Sequence, residues 1–151
     1  KSGKEMSTAE IIKKINKFPC KHLVITGGEP LIQQSGIKDL IVKLQQRKKY
    51  VTDNYKLKKV QANFKSPYFI EIETSGSLPP QINDLVDQYN CSPKLKNSKN
   101  RPMNYRLSLP KFPKEKTYYK FVVDKSADLK ELKNFIKKHK LAQNKIILMP
   151  Q

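Results

Sequence analysis

The chain has no tryptophan and only two cysteines, Cys20 and Cys91, far apart in its 151 residues. Two such thiols make no CxxC pair and no Cys/His ligand cluster. A four-cysteine zinc site or a three-cysteine iron–sulfur site therefore cannot be assembled from this chain alone. Both are expected as packed free thiols rather than nucleophiles, since neither has a base partner in view. Acidic residues are scarce as well, 13 against 31 basic ones, for a formal charge of +18. That bias favours contact with polyanions, because bound phosphates release counterions, although a lysine-rich surface produces it without any partner. No apolar run approaches the ~20 residues of a membrane-spanning helix. The first residues lack the apolar stretch of a secretory signal, so a soluble, cytoplasmic protein is the expectation.

What is present reads as alternating helix and strand in a single domain over 1–151. Ser7-Thr8-Ala9-Glu10 is a capping box, followed at helical spacing by Ile11, Ile12, Ile15 and Phe18. His22-Leu23-Val24-Ile25-Thr26 reads as a buried strand, and Ile37, Leu40, Ile41 and Leu44 mark a second amphipathic helix. Residues 47–67 carry Arg47, Lys48, Lys49, Lys56, Lys58, Lys59 and Lys65, a basic insertion in which Val51, Tyr55, Leu57 and Val60 suit a small hairpin. Phe69-Ile70-Glu71-Ile72-Glu73-Thr74 is a strand by alternation, with Ile70 and Ile72 on one face and Phe69, Glu71 and Glu73 on the other. Pro79-Pro80 suggests a short helix containing Ile82, Leu85 and Val86. An extended piece through Gln88-Tyr89-Asn90 follows, then a long basic loop over 94–116, a strand over Tyr118–Val123, and a helix opened by Asp128-Leu129-Lys130-Glu131. That helix turns Leu129, Leu132, Phe135 and Ile136 inward, and a last strand covers Lys145–Met149.

Strands separated by helical stretches imply a parallel sheet with helices on its outer face. In such sheets the chemistry sits at the carboxyl ends of the strands. The unusual residues cluster there. Gly27-Gly28-Glu29-Pro30 follows the first strand, and the paired glycines let a ligand approach the backbone, while Pro30 fixes the turn. Glu73-Thr74-Ser75-Gly76 follows the second, Ser92-Pro93-Lys94 the third, and Pro150-Gln151 the last. Two carboxylates on one face of an apolar strand are costly unless paired or solvated, and Glu73 lies nearer the rim than Glu71. Each motif has a plainer reading: a tight strand-to-helix turn for Gly-Gly-Glu-Pro, a Glu–Lys ion pair or a solvated face for the carboxylates, a common loop tripeptide for Ser-Pro-Lys. Lys120 is expected to snorkel to water, and His22 to lie at the surface.

Taken together, Val24-Ile25-Thr26-Gly27-Gly28-Glu29-Pro30-Leu31 resembles the GGEP motif of the radical S-adenosylmethionine (SAM) superfamily. Further blocks follow in order: Gln33, Ile72-Glu73-Thr74-Ser75-Gly76, Ser92-Pro93-Lys94-Leu95 with Asn97-Ser98, Tyr119-Lys120-Phe121-Val122-Val123, and Leu148-Met149-Pro150-Gln151. That order resembles, more narrowly, the 7-carboxy-7-deazaguanine synthases. The resemblance implies an α/β fold of the partial (β/α)6, TIM-like barrel type, incomplete at both ends here. It implies SAM contacts at Gly27, Gly28, Glu29, Glu73, Ser75, Ser92, Pro93, Lys94 and Gln151, and a substrate contact at Thr26. The family contracts the ring of 6-carboxy-5,6,7,8-tetrahydropterin to 7-carboxy-7-deazaguanine with loss of ammonia, a carbon–nitrogen lyase step in queuosine synthesis for tRNA modification. It uses a [4Fe–4S] cluster and magnesium, and commonly forms homodimers. The cluster cysteines and the magnesium-binding threonine of the family have no match in this chain, and the basic insertion replaces a short connection. No catalytic residue and no metal ligand is therefore assigned within the chain, which is expected to be inactive on its own.

Two other readings share these residues. One is a different radical SAM enzyme, such as an activating enzyme for a glycyl-radical partner, which would have the GGEP block alone. The other is a nucleic-acid-binding module in which Tyr50, Tyr55, Phe64, Tyr105, Phe112, Tyr118 and Tyr119 stack bases among the lysines.

Overall fold

The computed structural model describes residues 3–46, 67–98 and 109–150. The hairpin expected within the basic insertion, most of that insertion, and Gln151 lie outside the described residues. Five strands form one parallel sheet: β1 (His22–Ile25), β2 (Phe69–Thr74), β3 (Gln88–Cys91), β4 (Thr117–Val123) and β5 (Ile146–Pro150), in the order β1-β2-β3-β4-β5. Each strand lies beside the next in sequence. Among the described residues three α-helices accompany them: α1 (Thr8–Ile15), α2 (Gln34–Gln46) and α3 (Ser126–His139).

The two faces of the sheet differ because side chains alternate along each strand. One face carries Ile70 and Ile72 of β2, Tyr89 and Cys91 of β3, and Tyr119 and Phe121 of β4. These join Ile12 of α1, Ile37, Leu40, Ile41 and Leu44 of α2, and Leu132 of α3 in one buried core. The other face carries His22, Glu71, Glu73, Asn90 and Lys120, together with the part-exposed Val24, Phe69, Val122, Ile147 and Met149. Among the described residues no helix is long and apolar enough to cross a membrane.

Helix starts follow local chemistry. Ser7 caps α1, its hydroxyl accepting from the Glu10 amide while the Glu10 carboxylate accepts from the Ser7 amide, as a capping box requires. At α3 the expectation needs correction. The helix begins at Ser126, and Asp128 sits within its first turn rather than at its cap. The Asp128 carboxylate reaches back to the amides of Asp124 and Lys125 at 2.9 and 3.0 Å, and takes a third bond from Asn97 Nδ2 at 2.8 Å. Those amide bonds hold its carboxyl below the ordinary range. Glu131, expected to complete a capping box, instead accepts from the Lys96 amide.

Other expectations shift for similar reasons. Helix α1 stops at Ile15, so Phe18 lies beyond it and is 65% exposed. Leu129, expected inward, is 41% exposed, while Leu132 is buried and Phe135 and Ile136 pack against the core. Pro79-Pro80 opens no α-helix; only a 3₁₀ turn forms at Asn83–Leu85. The loop over 94–116 contains 3₁₀ turns at Lys96–Ser98 and Lys114–Lys116, with 99–108 outside the described residues. Cys91 is a packed thiol, as expected, but Cys20 is exposed.

Candidate ligand site at the carboxyl edge of the sheet

Parallel strands bring all their carboxyl ends to one edge, and the polar motifs arrive there with them. After β1 the chain turns through Gly27 at φ +149°, a conformation that suits glycine. Among the described residues, chain neighbours aside, no heavy atom lies within 4 Å of where a Cβ would stand on Gly27 or Gly28, so open space adjoins this backbone. Glu29 caps the 3₁₀ turn Pro30–Gln33 by accepting from the Leu31 amide at 3.1 Å. The same carboxylate crosses to the end of β2. There it accepts from the Thr74 hydroxyl at 2.7 Å, the Ser75 amide at 3.0 Å and the Ser75 hydroxyl.

A carboxylate offers about four acceptor directions, and Glu29 uses all of them within the protein. Partial burial alone would raise its carboxyl. The bonds from Ser75, Thr74 and the two amides outweigh that and hold it below its ordinary value. Glu29 thus clasps the turn after β1 to the turn after β2. Gln34 adds a second clasp: its Nε2 donates to the Pro79 carbonyl and its Oε1 accepts from the Gln81 amide. Just after β3, the Ser92 amide donates to the Thr74 carbonyl at 2.8 Å, and the Lys94 ammonium lies 3.4 Å from the Ser92 hydroxyl.

The expected site residues do not all share one hollow. Thr26 lines a cavity of about 450 Å³ with Pro30, Gln33, Gly36 and Ile37. Ser92, Pro93 and Lys94 line another of about 210 Å³ with Leu95, Asn97 and Val122. The Glu29 carboxylate meets Thr74, whose side chain is buried on the helix-covered side of β2, whereas Glu73 points to the other side. Thr26, Gly27, Gly28, Glu29, Glu73, Ser75, Ser92, Pro93 and Lys94 all stand at one edge, on both sides of β2.

The polar face below this edge holds residues whose roles the sequence did not reveal. Glu71 is 8% exposed, accepting from Asn90 Nδ2 and lying 2.8 Å from His22 Nε2. Glu73 accepts from Lys120 Nζ at 2.9 Å. Lys120 therefore does not simply snorkel to water, and His22 is a partner of a buried carboxylate. The available signal was alternation: Lys120 lies between the buried Tyr119 and Phe121 and must face the side of Glu71 and Glu73. Of the aromatics considered for base stacking, Phe112 and Tyr119 are buried. Tyr118 lies under the Lys145 ammonium at 4.1 Å, and Tyr50, Tyr55, Phe64 and Tyr105 lie outside the described residues.

No family model matches the chain. Among curated proteins, it is 31% identical over 155 residues to the 7-carboxy-7-deazaguanine synthase of Pyrobaculum aerophilum, covering 99% of this chain and 59% of that protein. It is 28% identical over 165 residues to the enzyme of that name from Rhodopirellula baltica, covering 99% and 55%. It is likewise 28% identical over 153 residues to that from Aquifex aeolicus, covering 99% and 58%. The chain thus spans somewhat more than half the length of these relatives.

Proposed function

We propose that this chain, a homologue of the 7-carboxy-7-deazaguanine synthases, is the part of such an enzyme that holds SAM and positions a reduced carboxypterin at the carboxyl edge of its sheet. The observation that carries this reading is the Glu29 clasp, which joins the Gly-Gly-Glu-Pro turn to Glu73-Thr74-Ser75-Gly76 as one rim. The unreversed strand order supports a barrel-type sheet, since a doubly wound sheet reverses its order at a switch point. Open space beside Gly27 and Gly28 suits a ligand lying against backbone amides. In this reading Gly27 and Gly28 offer backbone to the amino-acid end of SAM, Ser75, Ser92, Pro93 and Lys94 meet its remainder with Glu73, and Thr26 meets the pterin. Gln151 would join the SAM contacts.

When bound beside a reduced iron–sulfur cluster, SAM supplies a carbon radical; the protein's part is binding and orientation. The cysteines described do not fit a cluster. Cys91 is packed on the helix-covered face, where burial pushes its thiol up, and Cys20 is exposed before the opposite end of β1. Among the described residues no group of three or more His, Cys, Asp or Glu is placed to hold a metal ion. No step is assigned to a cluster or to magnesium on these residues.

The expected result is binding without turnover. Equilibrium dialysis of the 151-residue chain with [methyl-³H]SAM should show saturable binding. Reconstitution with iron, sulfide and reductant should yield no 5′-deoxyadenosine. Absence of saturable binding would refute the proposal for this rim; turnover would refute the account of its cysteines.

A further inference from the structure

We infer that Lys120 is a positioning residue that holds Glu73 ready for a ligand, an inference that rests on the SAM-binding reading and adds to it. Three carboxylates stand on or near the rim, and two are already engaged within the protein. Glu29 has all its acceptor directions filled, and both oxygens of Glu71 are taken, by His22 and Asn90. Glu73 differs. Its Oε1 takes the Lys120 ammonium at 2.9 Å, and its Oε2 has no hydrogen-bond partner among the described residues. Its side chain is 38% exposed and that of Lys120 26%.

The ion pair spans β3, since Glu73 stands beside Asn90 in register and Asn90 beside Tyr118. Thr26 follows Ile25, whose β2 partner Ile72 precedes Glu73, so Thr26 and Glu73 both stand at the end of the β1–β2 ladder. Lys120 does two things there. It offsets the charge of a second carboxylate two residues from Glu71 on the same face, and it removes the rotational freedom that a long acidic side chain would otherwise lose on binding. Glu73 Oε2 is left to accept from a hydroxyl or amino group of the ligand. A lysine serving only as a surface counter-ion would offset charge but hold Glu73 weakly, because exposed pairs contribute little.

The test is a double-mutant cycle on SAM affinity, using dialysis of the 151-residue chain with thermal unfolding measured in parallel. K120M should weaken SAM binding about tenfold, the scale of a single hydrogen bond to a charged group. K120R should restore it to within about threefold, since a guanidinium still pairs with a carboxylate. In an E73Q background K120M should change affinity little. Equal losses from K120M in both backgrounds, or no rescue by K120R in a folded protein, would overturn the inference while leaving SAM binding intact. A wild-type chain that does not bind SAM would overturn this inference and the reading beneath it together. If K120M does not fold, K120Q takes its place in the cycle.

Discussion

Replacing Glu29 by alanine is expected to lower the unfolding free energy by about 2–3 kcal/mol and to weaken SAM binding at the same time. The change strips an acceptor from the Leu31 amide, the Thr74 hydroxyl, and the Ser75 amide and hydroxyl. Thr74 is only 4% exposed, so water does not readily replace the missing acceptor there. Buried donors left unpaired cost about 1–3 kcal/mol each, and the half-exposed bonds to Ser75 contribute less. For a chain of this size the loss corresponds to roughly 5–10 °C in Tm. The pH dependence has a definite sign. A carboxyl whose folded value lies below its ordinary 4.5 contributes fully above that value, and its contribution is lost as pH falls through the lower folded value. E29Q should therefore be less stable than wild type at neutral pH and lose less on acidification. Thermal unfolding from pH 7 down to 3 measures both. An unchanged acid limb in E29Q would show that the clasp is not ionic.

Phe121→Ala should have the larger effect on folding and none specific to the ligand. The ring is 0% exposed at the centre of β4 and packs edge-on to Phe135 of α3, with centroids 5.5 Å apart at 70°. Truncating a buried phenylalanine costs about 3–5 kcal/mol, partly transfer and partly the cavity left behind. Against the roughly 5–15 kcal/mol of a typical domain, that removes much of the margin. Phe121→Leu should cost less, because most of the volume is kept. Urea titration distinguishes these outcomes: the midpoint should drop sharply for alanine with an unchanged slope. A drop in stability below about 1 kcal/mol, well short of a buried ring's usual cost, would mean that α3 does not pack on β4 as described.

These two residues also show what can be read from a single chain. The strand holding Phe121 was legible, and its core face follows from Tyr119, Phe121 and Val123 alternating with Lys120 and Val122, since period two needs no tertiary knowledge. The four core positions of α2 were legible through the 3.6-residue period in the same way. Glu29 was legible as an unusual residue in a glycine turn, but not as a clasp. Its partners Thr74 and Ser75 lie 45 and 46 positions away, and only the β1–β2 pairing brings them near. The same limit hid the Lys120–Glu73 pair and the role of His22. The boundary errors have a local cause. At α3, Asp128 stabilises the helix from inside its first turn, and a sequence rule that expects the acid at the cap places that cap three residues late.

The pairing of β1 with β2 has one more consequence. The pairing of His22 with Phe69 closes the connection between β1 and β2, and the basic insertion lies wholly within it. Closure entropy rises only with the logarithm of chain length, so some 20 extra residues there raise its cost by about 0.5 kcal/mol. A lineage can lengthen this connection at almost no thermodynamic penalty. The burden falls on kinetics instead, since this pairing has to form across a greater sequence separation.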